Sequence, residues 1–401
     1  MKSAYKIVAI SAAVSLLLAG CDKKDNAAPQ KAAGNEKEVV VKIGHAAPMT
    51  GPQAHIGKDN ESGTRLAIDE LNEQKMVIGG KPVRFELLAE DDQADPKMGA
   101  LVAQKLVDAK VSGVIGHMNS GTTMPASRIY SEAGIPQISG SATTPAYTNQ
   151  GFKTAFRNMA NDSQQTKVLA YFAVKKLGVK TVAVVDDRTA YGQGLGDEFS
   201  KWIKAQGGTV IAHEFASDKS VDFKAILTTI KAKKPDLIFF GAMDAQVGPF
   251  MRQLKELGIQ SKFLTADGGC TTDTPKLAGD GAVGYCTLPG IPLEKMAGGA
   301  AFKEKFKKRF GYDIQLYAPY LYDATMVMAA AMKKADSVEP AKIVAALPQT
   351  DYAGVTGRIQ FDEKGDPKGG MISVYQFQGK DKEKLLVETI SVADAEPGKA
   401  K

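Results

Sequence analysis

The chain has 401 residues, of which 44% are hydrophobic and 24% are charged, and its formal net charge is +6 at pH 7. This composition is ordinary for a soluble globular protein, and the length exceeds what one core usually serves, so two lobes are expected. Residues 1–37 carry half of the net positive charge. The remainder forms no clustered basic face, which argues against a nucleic-acid partner.

The first residues are typical of an exported lipoprotein. Two lysines precede an apolar run at residues 7–20, which is too short to span a bilayer and fits a signal peptide. The run ends in Leu-Ala-Gly-Cys, which resembles a lipobox in which Cys21 is lipidated. The alternative is an ordinary secretory signal with an incidental cysteine. We expect a signal peptide at 1–20, a flexible linker at 21–38 and membrane attachment through the lipid alone, at the inner or the outer membrane.

Strands and helices alternate from residue 39 onward. Strands are predicted at 39–47, 81–92, 111–116 and 135–138, with helices at 57–74, 95–109 and 122–134 between them. Asp95 is the expected N-cap of the second helix, and Pro96 occupies its first position. Alternation at this spacing predicts a parallel sheet with helices on both faces.

The same alternation restarts near residue 158. Strands are predicted at 181–187, 209–215, 236–242 and 262–267, with helices at 163–178, 191–207, 222–234 and 246–258. Three more helices, at 301–311, 317–335 and 340–349, precede strands within 357–378 and at 384–390. The pattern predicts a second α/β unit of the same kind.

Two successive strands of the first unit end in loops rich in hydroxyl side chains and glycine. In an open parallel sheet, ligands bind beyond the carboxyl ends of the strands, where helix N-termini present unpaired N–H groups and favour a small anion. Ser120 and Thr143 would add neutral donors there. The alternative is helix capping by Ser and Thr, but the repetition on two loops favours a site for one carboxylate.

No catalytic, metal or cofactor site is expected. Residues 51–59 depart from a phosphate-binding loop in their glycine spacing and end in Asp59 where a hydroxyl residue is required. No dinucleotide-binding glycine motif follows the first strand, the chain contains no nucleophile elbow, and its four histidines lack metal-ligand spacing. We therefore expect a binding protein and not an enzyme.

Two cysteines remain besides the one at the expected lipidation site. Cys270 and Cys286 are sixteen positions apart in a chain that is expected to be exported. Export permits a disulfide between them without requiring one. The alternative is two separately buried thiols.

Four segments carry a resemblance to a known family, and they lie at residues 90–100, 116–148, 186–196 and 361–370. They resemble the branched-chain amino-acid-binding proteins of ABC importers, within the type I periplasmic binding proteins. The likeness runs from about residue 39 to residue 390 with all segments in order. It implies an α/β fold of two Rossmann-like lobes, each a parallel sheet flanked by helices, joined by three crossovers and closing on a ligand.

The resemblance also implies the limits of the lobes. Lobe I is expected at 39–158 and 289–366, lobe II at 159–288 and 367–391, and a flexible tail at 392–401.

The ligand contacts of the family fall on particular residues of this chain. Ser120 would hold the ligand carboxylate, while Ser141, through its backbone carbonyl, and Thr143, through its hydroxyl and amide, would bind the carboxylate and the ammonium. In lobe II, Tyr191 would supply an aromatic contact and Asp267 would pair with the ammonium. The alternative for Asp267 is an ordinary turn aspartate in Ala-Asp-Gly-Gly.

The wall that contacts the ligand side chain is expected to be apolar and to include Ile56, Met118 and Met243. Ile56 stands where the family often has an aromatic residue, and Met243 stands where it often has a tyrosine. Asp267 replaces the commoner glutamate. These departures leave open which amino acid is bound, or whether the ligand is an amino acid at all.

We expect the solute-binding component of an ABC importer, which captures a small aliphatic or branched-chain L-amino acid in the periplasm and delivers it to permease subunits in the inner membrane. It is expected to act as a monomer without cofactor, metal or nucleic acid. One alternative is the same fold holding another small carboxylate or an amide. Others are a ligand sensor that does not transport, and an enzyme with an unrecognised site.

Overall fold

The structure is a computed structural model that describes residues 37–398. The expected signal peptide, Cys21 and nearly all of the expected linker lie outside the described residues, as do residues 399–401 of the expected tail. The strands within 37–398 form two large sheets and one short hairpin. No helix in this range combines the length and the apolar character that are needed to cross a membrane.

The first sheet has six strands and is built from residue 39 to residue 157. Its elements in chain order are β1 (Val39–Ala47), α1 (Ala54–Glu73), β2 (Val77–Ile78), β3 (Lys81–Asp91), α2 (Pro96–Asp108), β4 (Gly113–Gly116), α3 (Ser120–Glu132), β5 (Gln137–Ser139), α4 (Ala146–Asn149) and β6 (Ala155–Arg157). The strand order is β2-β3-β1-β4-β5-β6, parallel except for the pair β2 and β3. One apolar cluster joins β1 to α1 and another joins β1 to α2 and α3, so helices cover both faces.

The second sheet begins with five parallel strands. Its elements are α5 (Asp162–Tyr171), β7 (Thr181–Asp186), α6 (Ala190–Ala205), β8 (Thr209–Phe215), α7 (Lys224–Lys233), β9 (Leu237–Gly241), α8 (Asp244–Glu256), β10 (Lys262–Thr265), α9 (Thr274–Ala278) and β11 (Val283–Pro289). The chain then forms α10 (Gly299–Phe310), α11 (Ala318–Ala335), α12 (Pro340–Ala346) and the hairpin of β12 (Tyr352–Gly354) and β13 (Gly357–Ile359). It finally adds the antiparallel strands β14 (Met371–Gln378) and β15 (Leu385–Ser391), which complete the order β15-β14-β11-β10-β9-β7-β8.

The chain passes between the two sheets three times. The first passage follows β6 and leads to the second sheet. The second follows β11 and returns the chain to the first sheet, where α11 packs against α1, β4 and β5. The third follows β13 and leads to β14 of the second sheet. We call the first sheet with α1–α4, α10–α12 and the hairpin lobe I, and the second sheet with α5–α9 lobe II. The residue limits that the sequence predicted for the lobes remain a proposal.

Local sequence explains most element boundaries, but the sequence pattern missed several elements, among them β2, β6 and β11. Asp95 accepts hydrogen bonds from the backbone N–H of Lys97 and Met98, which confirms the predicted N-cap of α2. The predicted helix at 163–178 is α5 followed by a π-helical turn, Phe172–Lys176. The sequence pattern gave no strand at 281–292, yet β11 lies there in the middle of the second sheet. Its glycine and proline obscured the signal, because both residues are rare inside strands.

A disulfide joins the strand β11 to the loop that follows β10. Cys270 and Cys286 are bonded, with their Cα atoms 5.4 Å apart, and both are fully buried. The bond holds Cys270 beside β11 and thereby fixes the short turn Asp267–Gly269, which precedes it directly. A constraint of this kind stabilises mainly by restricting the unfolded chain.

The double substitution Cys270→Ala and Cys286→Ala is expected to lower the free energy of unfolding by about 3 kcal/mol, the usual effect of closing a loop of this length. Urea denaturation followed by circular dichroism measures the difference. A reductant should destabilise the natural protein and leave the double variant unchanged. Equal stability of the two proteins under oxidising conditions would contradict the prediction.

Candidate functional site

The two hydroxyl-rich loops of lobe I meet at the carboxyl ends of β4 and β5. Ser120 is the first residue of α3 and is buried, and its Oγ accepts a hydrogen bond from the backbone N–H of Thr144 at 3.3 Å. The Oγ of Ser139, the last residue of β5, accepts the N–H of Ala142 at 2.9 Å. Both loops therefore converge on the N-terminus of α3, where a helix favours an anion.

The predicted ligand residues of the second loop lie in the same place. Ser141 is buried, and its Oγ accepts a hydrogen bond from Nδ2 of Asn60 on α1 at 3.1 Å. Thr143 is also buried, and its hydroxyl forms no hydrogen bond with any residue of the described range 37–398. Arg157 fixes the loop on either side, since its Nη1 donates to the carbonyls of Ala142 and Thr144 at 3.0 and 2.8 Å.

The carboxylate of Asp267 is the centre of a polar cluster between the lobes. Asp267 follows β10 and is fully buried. Its Oδ1 accepts hydrogen bonds from Nε2 of Gln165 at 3.1 Å and from the hydroxyl of Tyr191 at 2.9 Å. Its Oδ2 accepts one from the hydroxyl of Tyr317 at 2.6 Å. A carboxylate has about four acceptor positions, so three donors leave capacity for another.

Burial is the main influence on the charge of this carboxylate. It raises the pKa of Asp267, and the hydrogen bonds from Tyr317, Tyr191 and Gln165 oppose that rise because they favour the ionised form. These contacts differ from those of a surface turn aspartate, which would hydrogen-bond only to its own backbone.

Tyr317 belongs to lobe I, and an acid on α1 sets its position. Asp59 is fully buried and accepts the backbone N–H groups of Gln315, Leu316 and Tyr317, which directly precede α11, and of Ala318, its first residue, at 2.8 to 3.1 Å. These N–H groups have no partner inside the helix, so the carboxylate caps it. Asp59 thereby fixes the residue whose hydroxyl reaches across to Asp267.

The residues predicted to contact the ligand side chain belong to one large apolar cluster. Ile56, Met118, Tyr191, Met243 and Tyr317 are buried members of one hydrophobic cluster that includes residues of both lobes. Met243 and Tyr191 approach the turn after β10 so closely that a Cβ added to Gly268 would lie 2.7 Å from Sδ of Met243 and 2.8 Å from the hydroxyl of Tyr191. Glycine is therefore required at that position for this packing.

Two further contacts join the lobes at the edge of this site. Nε2 of His55 on α1 lies 2.7 Å from Oδ2 of Asp244, the buried first residue of α8. The hydroxyl of Thr272 donates to Oε1 of Gln315 at 2.7 Å. Together with the bond between Tyr317 and Asp267, these contacts describe an arrangement in which the lobes are closed on each other.

A groove of about 980 Å³ opens beside the cluster. Thr271 and Gln315 line it near the contacts that join the lobes, and Pro289 and Tyr320 line it at the crossover after β11. None of the ligand residues predicted from the sequence is among its lining residues. Tyr317 lines the groove and also contacts Asp267, so it separates the groove from the buried cluster.

Sequence reasoning missed three polar residues of the cluster, namely Gln165, Tyr317 and Asp162. Asp162 is fully buried at the start of α5 and lies near enough to Asp267 for the charge of one to raise the pKa of the other. Asp162 and Gln165 follow the capping residue Asn161, and Tyr317 precedes α11, so a helix-start pattern was their only local signal. Their proximity to Asp267 is a product of the tertiary fold.

The geometry suits binding of a small polar molecule. Within residues 37–398, no three His, Cys, Asp or Glu side chains are grouped so that they could hold a metal ion. The histidines pair with one or two neighbouring groups each: His45 with the carbonyl of Ile115 and the hydroxyl of Thr64, His55 with Asp244, His117 with Asp92 and Tyr130, and His213 with Asp186.

Comparison with known proteins agrees with this architecture. The periplasmic binding protein family matches residues 40–383. The Leu/Ile/Val-binding protein homolog 1 of Brucella abortus is 33% identical over 339 residues, which cover 84% of this chain and 90% of that protein. The leucine-, isoleucine-, valine-, threonine-, and alanine-binding protein of Pseudomonas aeruginosa is 32% identical with the same coverage. The crystal structure of the branched-chain amino acid transporter substrate binding protein LivJ from Streptococcus pneumoniae, in complex with isoleucine, matches with a TM-score of 0.78 and 27% identity, over 88% of this chain and all of that one.

These similarities confirm the family and the α/β fold class that the sequence predicted. Members of the family are exported solute-binding proteins and not enzymes. The chain belongs to the periplasmic binding protein family, among the substrate-binding proteins of branched-chain amino-acid ABC transporters.

Proposed function

We propose that this protein binds a small aliphatic L-amino acid between its lobes and delivers it to an ABC permease. The observation that carries the proposal is the buried carboxylate of Asp267, which retains acceptor capacity and is linked through α5 to the Thr143 loop of the other lobe, since Gln165 donates to Asp267 and the N–H of Asp162 donates to the carbonyl of Thr143. The ammonium of a zwitterion needs hydrogen-bond acceptors, and its carboxylate needs donors. Asp267 offers an acceptor, and the loops of Ser120 and Thr143 offer donors.

Each end of the ligand has its own set of groups. The ligand carboxylate takes the N-terminus of α3 and the hydroxyl of Ser120, replacing the weak 3.3 Å bond to Thr144. The ammonium takes Asp267 and the Thr143 hydroxyl, which has no hydrogen-bond partner within residues 37–398. The aliphatic side chain packs against Ile56, Met118 and Met243, and methionine adapts to side chains of different shape.

Closure follows from the distribution of these groups between the lobes. An amino acid contacts both half-sites only when the lobes are together, so it binds the closed form more tightly and shifts the equilibrium toward it. The pair of His55 and Asp244 forms across the same cleft and adds to the stability of the closed form. The closed surface is then what a permease recognises.

Delivery also requires that the protein stay near the membrane. The sequence Leu-Ala-Gly-Cys at residues 18–21 supports a lipid anchor on Cys21 after removal of residues 1–20. The linker at 21–38 would let the folded part reach a permease in the same membrane. Relatives named as transporter substrate-binding proteins support the permease as the partner.

The first prediction concerns ligand identity. In a thermal-shift screen of the twenty L-amino acids, aliphatic members should raise the Tm, because a ligand at a hundredfold excess over its Kd stabilises by about 2.7 kcal/mol. Benzoate and 4-hydroxybenzoate serve as carboxylates without an ammonium. Stabilisation by the aromatic acids and by none of the amino acids would overturn the proposed ligand class.

The second prediction concerns the ammonium. Asp267→Ala should weaken amino-acid binding by about 3 kcal/mol, or roughly a hundredfold, because it leaves the buried ammonium without its partner. Isothermal titration calorimetry measures the change. Asp236→Ala is the matched control, since Asp236 accepts the N–H groups of Lys180 and Thr181 at the opposite edge of the same sheet. A normal Kd in the Asp267 variant would refute the assigned role.

The third prediction concerns pH. The hydrogen bond to Asp244 raises the pKa of His55 above its ordinary value of 6.5, and the charges of Asp244 and Asp273 act in the same direction. The pair therefore stabilises the closed form fully below pH 6.5 and loses its effect as the pH rises through the raised pKa.

The natural protein should lose ligand affinity by up to about fivefold, or about 1 kcal/mol, between pH 6 and pH 9, and His55→Gln should abolish this loss. His213→Gln is the control, because His213 forms a similar pair with Asp186 at 2.9 Å inside lobe II. Titration calorimetry at several pH values compares the three proteins. Identical pH profiles for the natural protein and His55→Gln would exclude this contribution to closure.

A further inference from the structure

The side-chain carboxylate of Asp162 has no hydrogen-bond partner among the described residues. It is fully buried, yet neither carboxylate oxygen accepts a hydrogen bond from any residue between 37 and 398. Other buried acids are well supplied: Asp59 accepts four backbone N–H groups, and Asp323 accepts two backbone N–H groups and the hydroxyl of Thr356. An unpaired buried carboxylate is strongly unfavourable, so its presence calls for a partner from outside the chain.

The position of Asp162 connects the two half-sites. Its backbone N–H donates to the carbonyl of Thr143 at 2.9 Å, which places the start of α5 against the second hydroxyl-rich loop. Gln165 lies three residues later on α5, and its Nε2 donates to Asp267 at 3.1 Å. Residues three apart share one face of a helix, and both Asp267 and the Thr143 hydroxyl are near enough to the carboxylate of Asp162 to change its pKa.

No Lys, Arg or His side chain within residues 37–398 donates a hydrogen bond to the carboxylate of Asp162. Burial and then the charge of Asp267 raise its pKa, Glu198 acts in the same direction, and the Thr143 hydroxyl and Arg157 oppose them. The Thr143 hydroxyl is close enough for this effect but does not have the geometry of a hydrogen bond.

Arg157 does not serve as the counterion of Asp162. Its Nη2 donates to Asp366 at 2.5 Å and to Thr148 at 3.1 Å, and its Nη1 donates to two loop carbonyls. Nη1 and Nη2 of the guanidinium are thus occupied, whereas Nε forms no hydrogen bond within residues 37–398, and Arg157 acts on Asp162 only through its charge.

We propose that Asp162 is a second carboxylate of the ligand site, which together with Asp267 receives the primary ammonium of the ligand. An ammonium has three N–H donors, which match the two carboxylates and the Thr143 hydroxyl. The inference rests on the proposed function and makes it more specific. A carboxylate ligand without an ammonium would leave both Asp162 and Asp267 without a cationic group from the ligand. Asp162 thereby selects amino acids against simple organic acids.

The test is a thermodynamic cycle with two ligands and two proteins. L-leucine and 4-methylpentanoate, which is leucine without its ammonium, are titrated by calorimetry into the natural protein and into Asp162→Asn. The substitution should weaken L-leucine at least about tenfold, since it removes one partner of a buried charge contact. The affinity for 4-methylpentanoate should stay unchanged or increase, because the substitution removes a negative charge that repels the carboxylate of this ligand.

Thermal unfolding without ligand separates this role from a structural one. Asp162→Asn should keep or raise the Tm, whereas the control Asp323→Asn should lower the Tm and keep the affinity for L-leucine. If Asp162→Asn does not fold, Asp162→Ser replaces it. Unchanged L-leucine affinity, or equal losses for both ligands, would overturn the inference alone. Failure of the natural protein to bind any amino acid would instead overturn the proposed function.

Discussion

Burial of the Asp267 carboxylate between the lobes is the constraint on which the site depends. An ion in a medium of low dielectric constant loses several kcal/mol of hydration, and neutral hydroxyl and amide donors recover only part of it. Two of its donors, Gln165 and Tyr191, are in lobe II, but the third, Tyr317, is in lobe I. The stability of the ionised carboxylate is therefore coupled to closure, and the ammonium of the proposed ligand would supply a further donor.

The helix α1 transmits this coupling through lobe I. Asp59 caps α11 and orients Tyr317, while Ile56, three residues earlier on the same helix, belongs to the apolar cluster around the site. His55 on the same turn pairs with Asp244 across the cleft. One helical turn thus carries an apolar contact, a contact between the lobes and the residue that positions Tyr317. A displacement of α1 would disturb all three together.

The sequence predicted the scaffold better than it predicted the contacts. The period of apolar residues located most strands and helices. Two consecutive hydroxyl-rich loops predicted an anion site. The structure brings these loops together, since the N–H of Thr144 donates to Ser120, and the bound anion stays a prediction. Strand β11 escaped because its apolar pattern is interrupted, although its neighbours in the sheet define it clearly. Gln165 and Tyr317 contact Asp267 from positions 102 and 50 residues away, so no local pattern could have indicated them. The spacing of Cys270 and Cys286 allowed a disulfide, but only the adjacency of β10 and β11 brings their Cα atoms to 5.4 Å.

The distribution of unsatisfied polar groups separates structural acids from those that serve the ligand. Asp59 and Asp323 are as deeply buried as Asp162, but the backbone supplies each with several donors, so their charge is compensated within the fold. The carboxylate of Asp162 accepts no hydrogen bond from residues 37–398, and the nearby Thr143 hydroxyl forms none with these residues either. Selection for stability alone would remove such a defect, since an asparagine or a hydrophobic residue would cost less. A group that is unfavourable without ligand and favourable with it raises the difference in free energy between the two states, and that difference is what a capture protein needs in order to close only on its cargo.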